Sequence, residues 1–222
     1  MQKYFDTLKK CALFKSIDDH DLSALLSCLG ARVIDFQKKE AVFYEGDPVR
    51  NLGIVLSGSV QIITDDYLGN RSIVSDAEPS ELFAEAFACA EVPSIPVDII
   101  ASEKSEIMMI DCRRIMYSCS NACNFHQQMI FNLMKDLATK NIRFHQRIEV
   151  TGKRSTRAKL LSYLSLEAKK NKSREFDIPF NRQELADYLE VERSGLSVEI
   201  SRMVKEGVIE SRKNHFVLLE RE

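Results

Sequence analysis

The chain has 222 residues, 45% of them hydrophobic and 29% charged, with a formal net charge of −2, which suits one large or two small folded domains. No run approaches the roughly 18 consecutive apolar residues of a membrane helix, and Met1-Gln2-Lys3-Tyr4-Phe5-Asp6 lacks the apolar core of a secretory leader, so a cytoplasmic location without membrane attachment is expected. Six cysteines without a CxxC pair argue against a disulfide framework, and the lack of a Gly-rich phosphate loop, an HExxH helix and a GxSxG elbow lowers the case for an enzyme.

Residues 1–29 read as short helices, with Ser16 or Asp18 capping a segment that carries Leu22, Leu25, Leu26 and Leu29. Seven β-rich runs follow: 32–36, 41–44, 53–56, 60–64, 72–74, 97–100 and 106–110. They are broken by Glu45-Gly46-Asp47-Pro48, Ser57-Gly58-Ser59 and Leu68-Gly69-Asn70. Short strands with Gly-containing turns predict an antiparallel barrel or sandwich. Between the fifth and sixth runs, Leu82, Phe83, Ala86, Phe87 and Ala90 recur at helical spacing, which predicts a helix inserted over Ser80–Glu91.

A long helix is expected from Asn121 to Glu149. Its Ile130, Met134, Leu137, Asn141, Phe144 and Ile148 are spaced 4, 3, 4, 3, 4, a heptad seam with one polar position. A seam Asn fixes register and oligomeric state at some cost in stability, so the spacing predicts a parallel two-stranded dimer interface. The alternative is an amphipathic helix packed on its own barrel. Val150-Thr151-Gly152 then interrupts the helix as a hinge, and Ser155–Lys172 forms the next one, with apolar Ala158, Leu161, Leu164, Leu166 and Ala168. The expected domains are 1–120, a sensor barrel; 121–150, a dimerisation helix; and 151–222.

The last segment carries the clearest motif. Asn181 precedes a helix with Glu184 at its third position, a capping-box signature, and Leu185, Ala186 and Leu189 form its buried face. A turn at Glu190-Val191-Glu192 leads to a second helix, Arg193–Glu206, closed by Gly207. A β-hairpin with a basic tip, Arg212-Lys213, follows. Two short helices and a hairpin predict a winged helix-turn-helix. Charge agrees: residues 1–150 carry 16 Lys and Arg against 21 Asp and Glu, residues 151–222 carry 15 against 12. Arg193, Ser194, Ser197 and Val198 stand at the exposed start of the second helix, where a recognition helix reads bases. Arg182, Arg202, Lys205, Arg212 and Lys213 are expected on phosphates. A trihelical unit that binds protein instead of DNA is the competing reading.

Arg182-Gln183-Glu184-Leu185-Ala186, Arg193-Ser194-Gly195-Leu196-Ser197 and Ser201-Arg202-Met203 together resemble the helix-turn-helix of the Crp/Fnr transcription regulators. Phe83-Ala84-Glu85-Ala86-Phe87 is similar to that family's effector cassette. The resemblance spans nearly the whole chain. It implies an α+β architecture: an N-terminal antiparallel β jelly-roll-like barrel, a long dimerisation helix and a C-terminal winged helix-turn-helix. It also implies a homodimer on a palindromic duplex operator, with RNA polymerase as a further partner and an unidentified small-molecule or redox effector. Many relatives carry Arg where this chain has Val198, so its target sequence should differ.

In nucleotide-binding relatives the cassette acid holds the ribose and an Arg-Ser pair neutralises the phosphate. Here Glu85 keeps the acid, but the pair is Ile95-Pro96, which cannot offset a buried phosphate charge and argues against cyclic AMP. Glu45, Leu56, Phe83, Glu85, Phe87 and Ile95 are the expected effector residues. Cys11 and Cys28 do not match the family's iron–sulfur pattern, and His20, His126 and His145 select no haem ligand. Cys119, Cys123 and His126 share one helical face with Cys112 nearby, as a metal or redox site or as simple packing. A sensor or scaffold without DNA leaves the basic wing unexplained. A cupin-like metalloenzyme conflicts with strand runs that contain no His.

Overall fold

Asp18 sets the first long helix. Its carboxylate accepts the Asp21 amide at 2.8 Å, and Gly30, at φ 59°, ends α2 (Asp19–Leu29) in the left-handed region. The computed structural model describes residues 2–65, 67, 71–117 and 124–219. A shorter α1 (Phe5–Lys10) precedes α2, and Leu22, Leu25, Leu26 and Leu29 are all buried. The chain divides into two units, residues 1–139 and 140–222.

In the first unit all seven expected runs are strands. β1 (Arg32–Phe36), β8 (Ser105–Asp111), β3 (Asn51–Ser57) and β6 (Leu82–Phe83) form one antiparallel sheet in that order. β2 (Ala41–Phe43), β7 (Asp98–Ala101), β4 (Val60–Asp65) and β5 (Arg71–Ala77) form the other. Successive strand residues point to opposite faces, and β3 buries both. Leu52, Ile54 and Leu56 pack with α2 and with Met129 and Leu133, whereas Val55 joins Phe36, Val60, Ile99 and Ile107 in the interior between the sheets.

The helix expected over Ser80–Glu91 is shorter. Leu82 and Phe83 are β6, paired with Ile54 and Gly53, and only α3 (Glu85–Cys89) is helical. Ser80 (φ 77°) and Ala84 (φ 59°) break the helical path on either side of the strand pair. Asp111 then caps α4 (Cys112–Met116). In the first half of α5 (Asn124–Thr151), the buried Asn132 amide donates to the carbonyls of Leu13 and Lys15 at 3.0 and 2.8 Å, fixing the helix to the N-terminal segment.

In the second unit, α6 (Thr156–Asn171) is capped by Ser155, whose hydroxyl accepts the Ala158 amide at 3.2 Å. β9 (Glu175–Asp177), α7 (Arg182–Leu189), α8 (Arg193–Lys205), β10 (Ile209–Arg212) and β11 (His215–Leu218) complete it, with sheet order β10-β11-β9. Its core joins Leu160, Tyr163, Leu164, Leu185, Leu189, Leu196, Met203 and Phe216. The expected hinge begins later than Val150. Val150 is still helical and fully buried in this core, so α5 ends as an anchored element and the break lies at 152–155.

Candidate DNA-binding surface and sensor core

The helix-turn-helix is fixed locally before it is fixed by packing. The Asn181 side chain accepts the amides of Gln183 and Glu184 at 2.8 and 3.0 Å, and Glu184 accepts the Asn181 amide at 2.7 Å, completing the capping box. Such a cap contributes about 1 kcal/mol. Glu190, at φ 53°, closes α7, and Leu196, Ile200 and Met203 bury one face of α8.

The opposite face of α8 is open. Arg193, Ser194, Val198, Arg202 and Lys205 are exposed, and Ser197 is half-buried. Ser197, Val198, Ser201, Arg202 and Lys205 line one surface concavity. The Ser197 hydroxyl donates to the Arg193 carbonyl at 3.0 Å, which leaves its lone pairs outward as acceptors. Glu192, the N-cap of α8, makes no side-chain cap, so the first amides are open to an anion. A methyl built at Gly195 would meet nothing within 4 Å; packing in this unit does not require glycine there.

Three arginines make contacts inside the unit. Arg157 of α6 pairs with Glu199 (3.5 Å) and Glu206, clamping α8, and the Glu206 contact raises its pKa above the ordinary guanidinium value. Arg202 also pairs with Glu199 at 3.2 Å, so the acid of the recognition helix is neutralised. Arg182 is half-buried: its Nη2 donates to the Lys213 carbonyl at 3.3 Å, its guanidinium lies 5.8 Å from the Phe216 ring centre, and burial lowers its pKa. It braces α7 against the hairpin, whereas Arg212 and Lys213 stand exposed at the tip.

The expected effector residues do not form one site. Phe83 and Ile95 are buried in the interior of the first unit with Phe87 packed against them, and Glu85, nearly buried, begins α3. Leu56 lies on the other face of β3, in the helical cluster. Glu45 is exposed. Its loop nevertheless grips Ile95: the Gly46 amide donates to the Ile95 carbonyl at 2.8 Å, and the Ile95 amide to the Asp47 carbonyl at 2.9 Å. Cys119 and Cys123 lie outside the described residues. His126 is buried, with Nε2 2.9 Å from the Ile115 carbonyl, as a core histidine would be.

Comparison with known proteins decides the family. The cyclic nucleotide-binding domain family matches residues 33–118, and the Crp-like helix-turn-helix domain family matches residues 158–222. The chain belongs to the Crp/Fnr family of DNA-binding transcription regulators. Among its Crp/Fnr relatives, an anaerobic regulatory protein of Pasteurella multocida is 25% identical over 188 residues, covering 78% of this chain and 63% of that protein. The chain thus spans less than two thirds of that relative's length. Electron transport regulator A of Shewanella oneidensis is 24% identical over 202 residues, covering 83% and 73%. The crystal structure of DNR from Pseudomonas aeruginosa shares the fold, with TM-score 0.51 at 20% identity over 100% of this chain and 96% of that one.

As a Crp/Fnr regulator the chain is not an enzyme, and the reading as a sensor without a DNA partner is not favoured. Two contributors to the surface escaped the sequence reading. Ser201 extends the open face of α8, and its i, i+4 spacing from Ser197 was a usable signal. Arg157 had none: its partners lie 42 and 49 positions away in the chain.

Proposed function

We propose that this regulator binds a palindromic duplex operator as a homodimer, with α8 in the major groove, and that a signal received in the first unit sets its affinity. The observation that carries the reading is the open face of α8 on a helix-turn-helix locked by its capping box. Arg193, Ser194, Ser197 and Val198 read bases, Val198 offering apolar contact to a thymine methyl. Gly195 lets the DNA approach closely. Arg202, Lys205, Arg212 and Lys213 hold phosphates, while Arg182 positions the wing rather than touching DNA.

The dimer assignment rests on α5. Met134, Asn141, Phe144 and Ile148 of the seam are exposed, Phe144 at 61% and Ile148 at 66%. Large apolar side chains left open at heptad spacing fit a second copy of the helix. Two recognition helices then meet half-sites about 34 Å apart. RNA polymerase is the expected further partner. The effector is not a cyclic nucleotide in this reading, because the fully buried Ile95 sits among apolar neighbours that cannot balance a phosphate.

The test is the salt dependence of binding to a duplex enriched from a random pool, followed by fluorescence anisotropy. Four exposed cations per protomer, doubled in the dimer, give a log–log slope near −7 if all engage, at about −0.9 per phosphate. A slope near zero, or no enrichment, overturns the proposal.

A further inference from the structure

Resting on the regulatory reading, we propose that Cys89 and Cys112 are a redox-active dithiol that closes an intramolecular disulfide under peroxide and thereby changes DNA affinity. The two Sγ atoms lie 3.0 Å apart although the residues are 23 positions apart in the chain. A disulfide needs about 2.04 Å, so closure asks for a shift of about 1 Å. Cys89 ends α3 and is half-buried, whereas Cys112 begins α4 and is fully buried. The Arg113–Glu91 ion pair at 3.4 Å also links the turn just past α3 to α4.

A cleft of about 180 Å³ opens beside the pair, lined by Arg50, Ala88, Glu91 and Arg113 among others. Ala88 immediately precedes one cysteine and Arg113 immediately follows the other. The cleft admits a molecule the size of peroxide. The Cys112 thiol donates to the Cys89 sulfur, which lowers the Cys89 pKa and raises that of Cys112. One sulfur is thus set as the attacking thiolate and the other as the resolving thiol.

The chemistry balances without a bound cofactor. The Cys89 thiolate attacks one peroxide oxygen, the O–O bond breaks, and the departing hydroxide takes a proton to become water. Cys89 is then a sulfenic acid. The Cys112 sulfur attacks it, losing its proton and expelling the sulfenic oxygen as a second water. Two thiols and one hydrogen peroxide give one disulfide and two waters, the sulfurs supplying both electrons. Closure fastens the cassette helix α3 to the start of α4, whereas reduction by a thiol releases it. No metal or CxxC motif is required, which is why the pair is silent in the sequence.

The experiment uses the full chain, reduced under anaerobic conditions and then titrated with hydrogen peroxide. Peptide mapping after alkylation is expected to show a linked Cys89–Cys112 peptide lighter by two hydrogens. DNA affinity, measured on the enriched duplex, is expected to differ about tenfold between the two states. Cys89→Ser and Cys112→Ser each abolish the link and the affinity difference, while the reduced variants bind as the reduced parent does. Peroxide products confined to other cysteines, or over-oxidation of Cys89 without the link, overturn the proposal, and a link that leaves affinity unchanged overturns its regulatory part. If the link forms but neither state binds any duplex, it is the DNA-binding reading that fails and the dithiol chemistry stands.

Discussion

Gly53 and Phe83 offer the sharpest test of how the cassette is seated. Gly53 lies in the middle of β3, directly across from Phe83 of β6, and a methyl at Gly53 would collide with Cζ and both Cε atoms of the ring. Tolerated carbon contacts lie near 3.5–4.0 Å, and Phe83 is buried at 3% exposure, so the ring has little room to withdraw. Overpacking of this kind costs about 1–3 kcal/mol. At roughly 2–4 °C per kcal/mol for a unit of this size, Gly53→Ala should lower the melting temperature of the first unit by about 2–12 °C. Phe83→Ala alone should cost about 3–5 kcal/mol through lost burial and a cavity. The double variant removes the collision, so it should lose no more than Phe83→Ala alone. That gives a favourable coupling energy of about 1–3 kcal/mol in a double-mutant cycle. Urea unfolding of the four proteins measures it. Additive losses within about 0.5 kcal/mol would show that the ring and the glycine are not in conflict, and the account of β6 would be wrong.

Other residues give simpler tests. The Glu106 carboxyl accepts from the Tyr4 hydroxyl (2.6 Å), the Lys3 ammonium (2.9 Å) and the Ser57 hydroxyl (3.0 Å), which hold its pKa down to about 2. Its unfolded value is about 4.3, so its stabilisation is complete above that pH and fades as pH falls toward 2. Glu106→Gln should therefore lower stability at neutral pH and flatten its decline between about pH 5 and 3 in thermal melts. Ile148→Glu places a charge on the exposed seam and should weaken the dimer at least about tenfold, or 1.4 kcal/mol, whereas Asn141→Leu should tighten it. Sedimentation equilibrium reads both, and unchanged constants would remove α5 from the interface. Gly195→Ala should stabilise the second unit by up to about 1 kcal/mol through helix propensity while weakening DNA binding. Full affinity in that variant would show that the DNA backbone does not approach this position.

What the sequence revealed was local. The Asn181–Glu184 capping box, the Asp18 cap and the strand runs are each specified within a few residues, and each formed as read. The misreadings have distant causes. Leu82 and Phe83 carry the same spacing to Ala86 and Phe87 that a helix would show, and only their pairing with Ile54 and Gly53, far earlier in the chain, makes them a strand. Leu56 sits in a run buried on both faces, so alternation could not tell which cluster it joins. Gly152 close behind makes Val150 look like the start of a hinge, yet its side chain is required by a core built mostly from later residues. The Cys89–Cys112 approach likewise depends on β8 carrying the chain back to α3.

These placements bear on how a signal enters the first unit. A ligand seated among Phe83 and Ile95 must displace at least one buried side chain, at about 1.5–3 kcal/mol each. It must also disturb the two backbone hydrogen bonds, from the Gly46 amide and to the Asp47 carbonyl, that hold Ile95 at both its backbone groups. Such a ligand needs strong apolar affinity simply to break even. Oxidation at Cys89 and Cys112 meets neither cost, because it uses atoms already 3.0 Å apart beside an open cleft. The energy then comes from a covalent step, and the packing change is centred where α3 meets α4. The two routes predict opposite behaviour in Phe83→Leu: the smaller side chain should make room for an apolar ligand in the interior, but it should leave the peroxide response intact.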